Sequence, residues 1–134
     1  MTSSPLVSVV IVNYNYGRYL GDCIDSVLAQ TYPSVEIIVV DDGSTDESLM
    51  VLKAYHDRVR IVHQQNHGVS HARNAGIWTS EGQWVAFLDS DDLWMPEKLQ
   101  EQSHCFQDPS VGMVFCGLEH IDESGSRLGY TQPA

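Results

Sequence analysis

The side chains of this sequence that could do chemistry are mostly acids, and they stand in two tight groups. Asp41 and Asp42 are adjacent, and Asp89, Asp91 and Asp92 surround Ser90. Each group follows an apolar, β-strand-like run, Val35 to Val40 before the first and Trp84 to Leu88 before the second. Asp-x-Asp on a loop suits a hard cation. Short carboxylates two residues apart can aim oxygens at one point, and Mg²⁺ or Mn²⁺ prefers carboxylate and phosphate oxygens. Two carboxylates and water leave such an ion open to a diphosphate. Like charges this close are costly unless solvated, protonated or metal-bound. The plainer alternative is that turns favour Asp, which also caps helices.

Other candidates are weaker. His63, His67 and His71 recur every four residues, which on one helix would suggest a zinc stripe. His63, however, falls in a strand-like run and Gly68 interrupts the series, so solvated or packing histidines are the better reading. Arg73 on its own reads as a surface ion-pair residue. Trp78, Trp84 and Trp94 read as packing residues, with Trp94 best placed near the acids. Cys23 lies on an apolar helix face and Cys116 at the end of an apolar run, so both are expected to be inert core thiols.

The elements that must position these groups alternate. Val7 to Val12 reads as a buried strand, followed by a turn at Tyr14-Asn15-Tyr16-Gly17. Leu20, Cys23, Ile24, Val27 and Leu28 recur at helical spacing, and Pro33 closes that region. Val35 to Val40 is a second strand. Ser44 and Glu47 form a capping-box pattern, which predicts a helix carrying Leu49, Met50, Leu52 and Lys53. Val59 to Val62 is a third strand, Val69 to Trp78 a helix ending near Gly82, and Trp84 to Leu88 a fourth strand. Pro96 suits the first position of a helix, with Glu97 favourable to its dipole. Val111 to Cys116 is expected to be a fifth strand, Asp122 to Gly125 a hairpin turn, and Tyr130 to Ala134 a tail. Alternation with near-continuous apolar strands predicts an α/β fold, three layers (αβα) around a mostly parallel central sheet. In such sheets ligands bind beyond the carboxyl ends of the strands, which is where both acid groups fall.

Composition limits the partners. The 134 residues fit one domain, 1–134, with hydrophobic residues at 43% and charged residues at 19%. Seven basic against 18 acidic residues give a net charge of -11. That excludes the basic footprint nucleic acid requires, and disfavours an anionic membrane surface. An anionic small molecule needs a local reversal of the field, for which a divalent cation is the usual device. No apolar run approaches a membrane span, and the first residues carry no Lys or Arg of a secretory signal. Three widely spaced cysteines point to a reducing, cytoplasmic compartment.

Several stretches together resemble family 2 glycosyltransferases of the GT-A fold, in their N-terminal, nucleotide-sugar-binding part. They are Val7 to Asn15 (VSVVIVNYN), Ser26 to Tyr32 (SVLAQTY), Glu36 to Asp46 (EIIVVDDGSTD), Asn66 to Gly76 (NHGVSHARNAG) and Phe87 to Trp94 (FLDSDDLW). In family order they cover roughly residues 6–120, leaving 121–134 as a hairpin or tail. The resemblance implies metal-dependent, inverting transfer of a sugar from a nucleoside-diphosphate sugar, most commonly a UDP-sugar, to a glycan, lipid or protein acceptor, with Mg²⁺ or Mn²⁺ as cofactor. It implies nucleotide binding by Asn13, Tyr14, Asp41, Asp42, Arg73 and Asp89, with Asp42 the base contact, and metal binding by Asp89 and Asp91. The family's catalytic base is expected beyond Ala134. A sheet left incomplete would favour a homodimer, and the full-length protein could be membrane-peripheral.

Rival readings are a phosphoacceptor receiver, a sugar nucleotidyltransferase and a non-catalytic nucleotide-sugar-binding or regulatory domain of the same fold. The first would place its acid pair after the first strand and a Lys after the fifth. The second would need a Gly-rich, basic loop where Asn13-Tyr14-Asn15-Tyr16-Gly17 stands. The third remains the principal alternative.

Overall fold

A computed structural model describes residues 3–132. Four apolar runs form parallel strands: β1 (Val7–Asn13), β2 (Val35–Asp41), β3 (Arg60–His63) and β4 (Trp84–Asp89), in the order β3-β2-β1-β4. Successive side chains of a strand point to opposite faces. Val7, Val9, Ile11, Ile37, Val39 and Leu88 therefore meet helix α1 (Gly17–Leu28) through its Leu20, Cys23, Ile24 and Val27. Leu52 of α2 (Ser48–Lys53) and Leu99 of α4 (Lys98–Gln102) complete that core. On the other face Val10, Ile38 and Val40 meet Ala72 of α3 (Val69–Thr79). Helices thus cover both faces, as an all-parallel sheet requires.

Register fixes the functional rim. Asn13 stands opposite Asp41 across β1 and β2, and Val12 opposite Asp89 across β1 and β4. The chain leaves β1 for β2 on one side and later adds β4 on the other, so a crevice opens between the carboxyl ends of β1 and β4.

Several local expectations are corrected. Ser44 and Glu47 form no capping box. The Ser44 hydroxyl accepts the Asn15 backbone N–H and an Asn13 side-chain N–H, and Glu47 makes no side-chain cap. Helix α2 starts four residues later, at Ser48, whose N–H is satisfied by Asp46 Oδ1 at 2.9 Å. α4 begins at Lys98, two residues beyond Pro96. Val111 to Cys116 is not a strand. Its apolar residues meet no partner ladder among the described residues, and strand propensity counts only where neighbouring strands receive it; Met113, Phe115 and Cys116 are exposed. Cys116 is therefore not a core thiol. Trp78 packs against little, being 88% exposed on α3. The expected hairpin is present as β5 (Leu118–Ile121) and β6 (Arg127–Thr131), antiparallel, with Gly125 at its turn. Tyr130 and Thr131 thus belong to a strand rather than a tail, and positions 133 and 134 lie outside the described residues.

α3 lies against β1 because Gly76 has no side chain: a Cβ there would collide with the Val10 side chain. Gly76→Ala is expected to destabilise the fold by about 1–3 kcal/mol through overpacking, read as a lower urea midpoint. An unchanged midpoint would show that α3 is not packed this closely.

Candidate functional site

The floor of the β1–β2 rim is a buried polar cluster. Asn13, fully buried at 0% exposure, turns its Nδ2 toward Asp41 Oδ1 at 3.1 Å, Ser44 Oγ at 3.2 Å and Ser48 Oγ at 2.9 Å. Asp41, also buried, accepts the Ser44 N–H on its other oxygen at 3.1 Å. Buried polar groups need partners, and these largely supply one another. Asn13 Oδ1 is the exception, with no partner among the described residues.

The turn after β1 is latched onto the loop after β2. Asn15 adopts a left-handed backbone (φ 55°), which Asn tolerates better than most residues. Its Oδ1 accepts the N–H groups of Thr45 at 2.7 Å and Asp46 at 3.2 Å. Asp46 Oδ2 accepts the Gly17 N–H, the first of α1, at 2.9 Å. Tyr14 and Tyr16, on either side of Asn15, remain half-exposed beside the crevice.

Asp42 organises the next loop. One oxygen accepts Gln64 Nε2–H at 2.7 Å and the His67 backbone N–H at 2.9 Å; the other accepts the Gly68 N–H at 3.0 Å. Burial pushes its carboxyl up, but these three donors, with the nearby His67, more than offset that and hold it below the ordinary carboxylate range. Gly43 follows at φ +82° with the Asn66 backbone so near that a Cβ would stand 2.8 Å from its nitrogen. The two loops can close on each other only with glycine there.

The second acid group lies across β1. Arg73 of α3 bridges Asp89 at 3.0 Å, both side chains partly exposed. Beneath the loop, the buried Cys23 thiol points at the Asp89 carbonyl (3.5 Å); burial first, then Asp92, Asp91 and Asp89, push this thiol up. Asp92 is pushed above the usual carboxylate range by burial first and then by the charges of Asp91 and Asp89. Arg73 compensates only Asp89, so the loop keeps an excess of negative charge that a hard divalent cation would relieve. Among the described residues no three His, Cys, Asp or Glu side chains converge to enclose an ion unaided. That donor set fits Mg²⁺ or Mn²⁺ in the manner usual for such ions, through one or two carboxylates plus phosphate oxygens and water.

Both groups border one cleft of about 450 Å³, lined by Val12, Tyr14, Tyr16, Asp42, Asn66, Gly68, Val69, Asp89, Ser90 and Asp91. Of the residues singled out in the sequence, Tyr14, Asp42, Asp89 and Asp91 line it directly. Arg73 reaches it through Asp89. Asn13 and Asp41 lie beneath, their polar groups turned inward. Sequence reasoning did not single out Tyr16, Asn66, Gly68, Val69 or Ser90. Asn66, Gly68 and Val69 belong to the Asn66 to Gly76 stretch that carries the family resemblance, and the two-residue spacing of Tyr16 from Tyr14 is the signal that marks it. A larger depression, about 580 Å³, opens at the opposite, amino-terminal end of β2. Its acids are already paired, Asp57 with Arg58 and Glu36 with Arg60, each at 3.9 Å.

The sequence profile described as "Glycosyl transferase family 2" matches residues 8–133. The chain belongs to this family. An uncharacterized glycosyltransferase of Nostoc sp. is 47% identical over 120 residues, covering 87% of this chain and 37% of the relative. Glycosyltransferase GlyG of Streptococcus pneumoniae is 38% identical over 125 residues, 90% and 42% of the two chains. The chain therefore spans less than half of either relative. Among solved structures, the mannosyltransferase PcManGT of Pyrobaculum calidifontis, in complex with GDP-Man and Mn²⁺, superposes with a TM-score of 0.77 at 27% identity, over 89% of this chain and 37% of that one. TarS of S. aureus with UDP-GlcNAc gives 0.68 at 24% identity, over 87% and 40%, a likeness of fold. The architecture of this family 2 chain is thus the GT-A one, with helices on both faces of a mostly parallel sheet. No helix among the described residues is long and apolar enough to cross a membrane.

The depressed Asp42 carboxyl gives a pH signature. A group whose folded value lies below its unfolded value (about 3.9 for Asp) contributes stability that is present above the unfolded value and lost as pH falls through the folded one. Asp42→Ala is expected to lower the urea midpoint at pH 7 and to flatten the acid limb of stability against pH below about 4. An acid limb identical to that of the unaltered protein would show that the three donors do not stabilise the ionised form.

Proposed function

We propose that residues 1–134 act as one donor-binding domain of a glycosyltransferase, holding a nucleoside-diphosphate sugar for transfer to a glycan, lipid or protein acceptor. The observation that carries this reading is the single cleft shared by Asp42, Asp89 and Asp91 at the β1–β4 switch point. Membership of the family and the GDP-Man and Mn²⁺ complex of PcManGT support it. A uridine nucleotide is the donor favoured here, as the commonest in the family the sequence resembles, with the guanosine nucleotide of PcManGT as the competing choice.

In this reading the nucleoside lies between the tyrosine-bearing turn and the Asp42 loop. Tyr14 offers a ring face to the base. Asp42, with three of its acceptor sites already used, retains capacity for one further donor, such as a base N–H. Asn13 and Asp41 support this wall from beneath instead of touching the nucleotide. Asp89 faces the ribose side, its position fixed by Arg73. Asp91, with Asp89, would hold Mg²⁺ or Mn²⁺ against the diphosphate. A bound ion of this kind supplies Lewis-acid stabilisation of the charge that develops on the leaving diphosphate. Inversion at the sugar carbon also needs a base for the acceptor hydroxyl. Asp122 and Glu123, on the β5–β6 hairpin, are not assigned that role.

Calorimetric titration of UDP and GDP into the chain with Mn²⁺ tests this reading. Asp91→Ala and chelation are each expected to cost at least about tenfold in affinity, about 1.4 kcal/mol. Equal affinity with and without chelator would contradict the cation bridge. Arg73→Ala is expected to weaken binding several-fold while leaving the melting temperature unchanged. Undiminished affinity would remove Arg73 from the site.

A further inference from the structure

The histidines of the β3–α3 junction have an arrangement that nucleotide binding does not use. The rings of His67 and His71 stand with centroids 4.9 Å apart and planes tilted by 44°. Two imidazoles bound to one ion through nitrogen–metal bonds of about 2.0–2.1 Å at a near-tetrahedral angle have centroids roughly 5 Å apart. His63, the third member of the four-residue series, lies in β3 and is not part of this pair.

The His71 ring is held by a fixed hydrogen-bond chain. Gln64 Nε2 donates to Asp42 Oδ1 at 2.7 Å, so its Oε1 faces the other way as an acceptor only. His71 Nδ1 lies 3.3 Å from that Oε1 and must be the donor, which leaves Nε2 as the nitrogen with a free lone pair in the neutral ring. Metal-ligating histidines are oriented in this way, by donation of the second ring N–H to a carbonyl or carboxylate. The His67 backbone N–H donates to the same Asp42 oxygen, so one buried carboxylate fixes the His67 backbone and, through Gln64, the His71 ring. Both residues are exposed.

We propose that His67 and His71 form a two-histidine site for a borderline divalent transition metal, Zn²⁺ being the physiological choice, separate from the carboxylate loop that suits a hard cation. Imidazole nitrogens favour Zn²⁺, Ni²⁺ and Cu²⁺, whereas Mg²⁺ prefers oxygen. The remaining coordination positions fall to water or to a ligand in the cleft, whose wall includes the neighbouring Asn66, Gly68 and Val69.

The test is calorimetric titration of ZnCl₂ into the full chain in the presence of a reductant and millimolar Mg²⁺, which occupies hard oxygen sites. One Zn²⁺ per chain is expected. His67→Ala and His71→Ala should each weaken it by tenfold or more. Gln64→Ala, which leaves both imidazoles but frees the His71 ring, should weaken it about 10–100-fold. These variants alter exposed or half-buried side chains, and apo melting temperatures identify any that fail to fold. Zn²⁺ affinity unchanged in the His67→Ala/His71→Ala double variant, which would place the ion on Cys116 or the acidic loop, would overturn the proposal. So would displacement of Zn²⁺ by Mg²⁺, or the absence of stoichiometric binding.

Discussion

The constraint on which this structure depends is the gathering of five carboxylates at one rim of a parallel sheet. Register enforces it. β2 and β4 flank β1, and their carboxyl ends deliver Asp41, Asp42, Asp89, Asp91 and Asp92 to the same end of the molecule. Each charge must then be compensated locally, and the compensations shape the loops. Asp41 is absorbed by Asn13 and Ser44, and Asp42 by Gln64 and two backbone N–H groups. Asp89 is met by Arg73. Asp91 and Asp92 are left as an excess, visible in the raised Asp92 carboxyl. In the function proposed, a hard cation would relieve that excess and so give an acidic chain a way to hold an anionic donor.

The same compensations stiffen the site. Loops ordinarily carry function at the cost of mobility. Here the turn after β1 is tied through Asn15 and Asp46 to the loop after β2, and that loop is tied through Asp42 to the junction before α3. Three segments far apart in sequence therefore form one hydrogen-bonded wall. A preorganised wall lowers the ordering cost of binding. It also explains why two of the residues named from the sequence, Asn13 and Asp41, face inward, since without them the wall would have no polar floor.

Much of this was legible in the sequence. β1 and β2 were readable because their apolar, β-branched runs are largely buried on both faces, and β4 by a short apolar run at the sheet edge that leaves Phe87 exposed; the acid groups were placed by where those runs stop. What misled were features whose outcome depends on distant partners. Val111 to Cys116 has strand-like residues but no ladder beside it. Ser44 and Glu47 have capping spacing, but Asn13 and Asn15 claim the Ser44 hydroxyl. Trp78 was expected to pack, yet α3 turns it to solvent. Adjacent Asp41 and Asp42 are equivalent by residue type and spacing, and only the family resemblance sets Asp42 apart; the folded loop sends Asp41 to the floor and Asp42 to the cleft.

The central claim is that the two acid groups act together across one cleft. Paramagnetic broadening by Mn²⁺ tests it most directly. With a nucleoside diphosphate present, substoichiometric Mn²⁺ should broaden the backbone amide resonances of residues 89–92 together with those of Tyr14 and Gly68, and leave Arg58 and Arg60, at the opposite end of the sheet, sharp. Broadening centred away from the 89–92 loop, or confined to it without reaching Tyr14 and Gly68, would contradict a shared site.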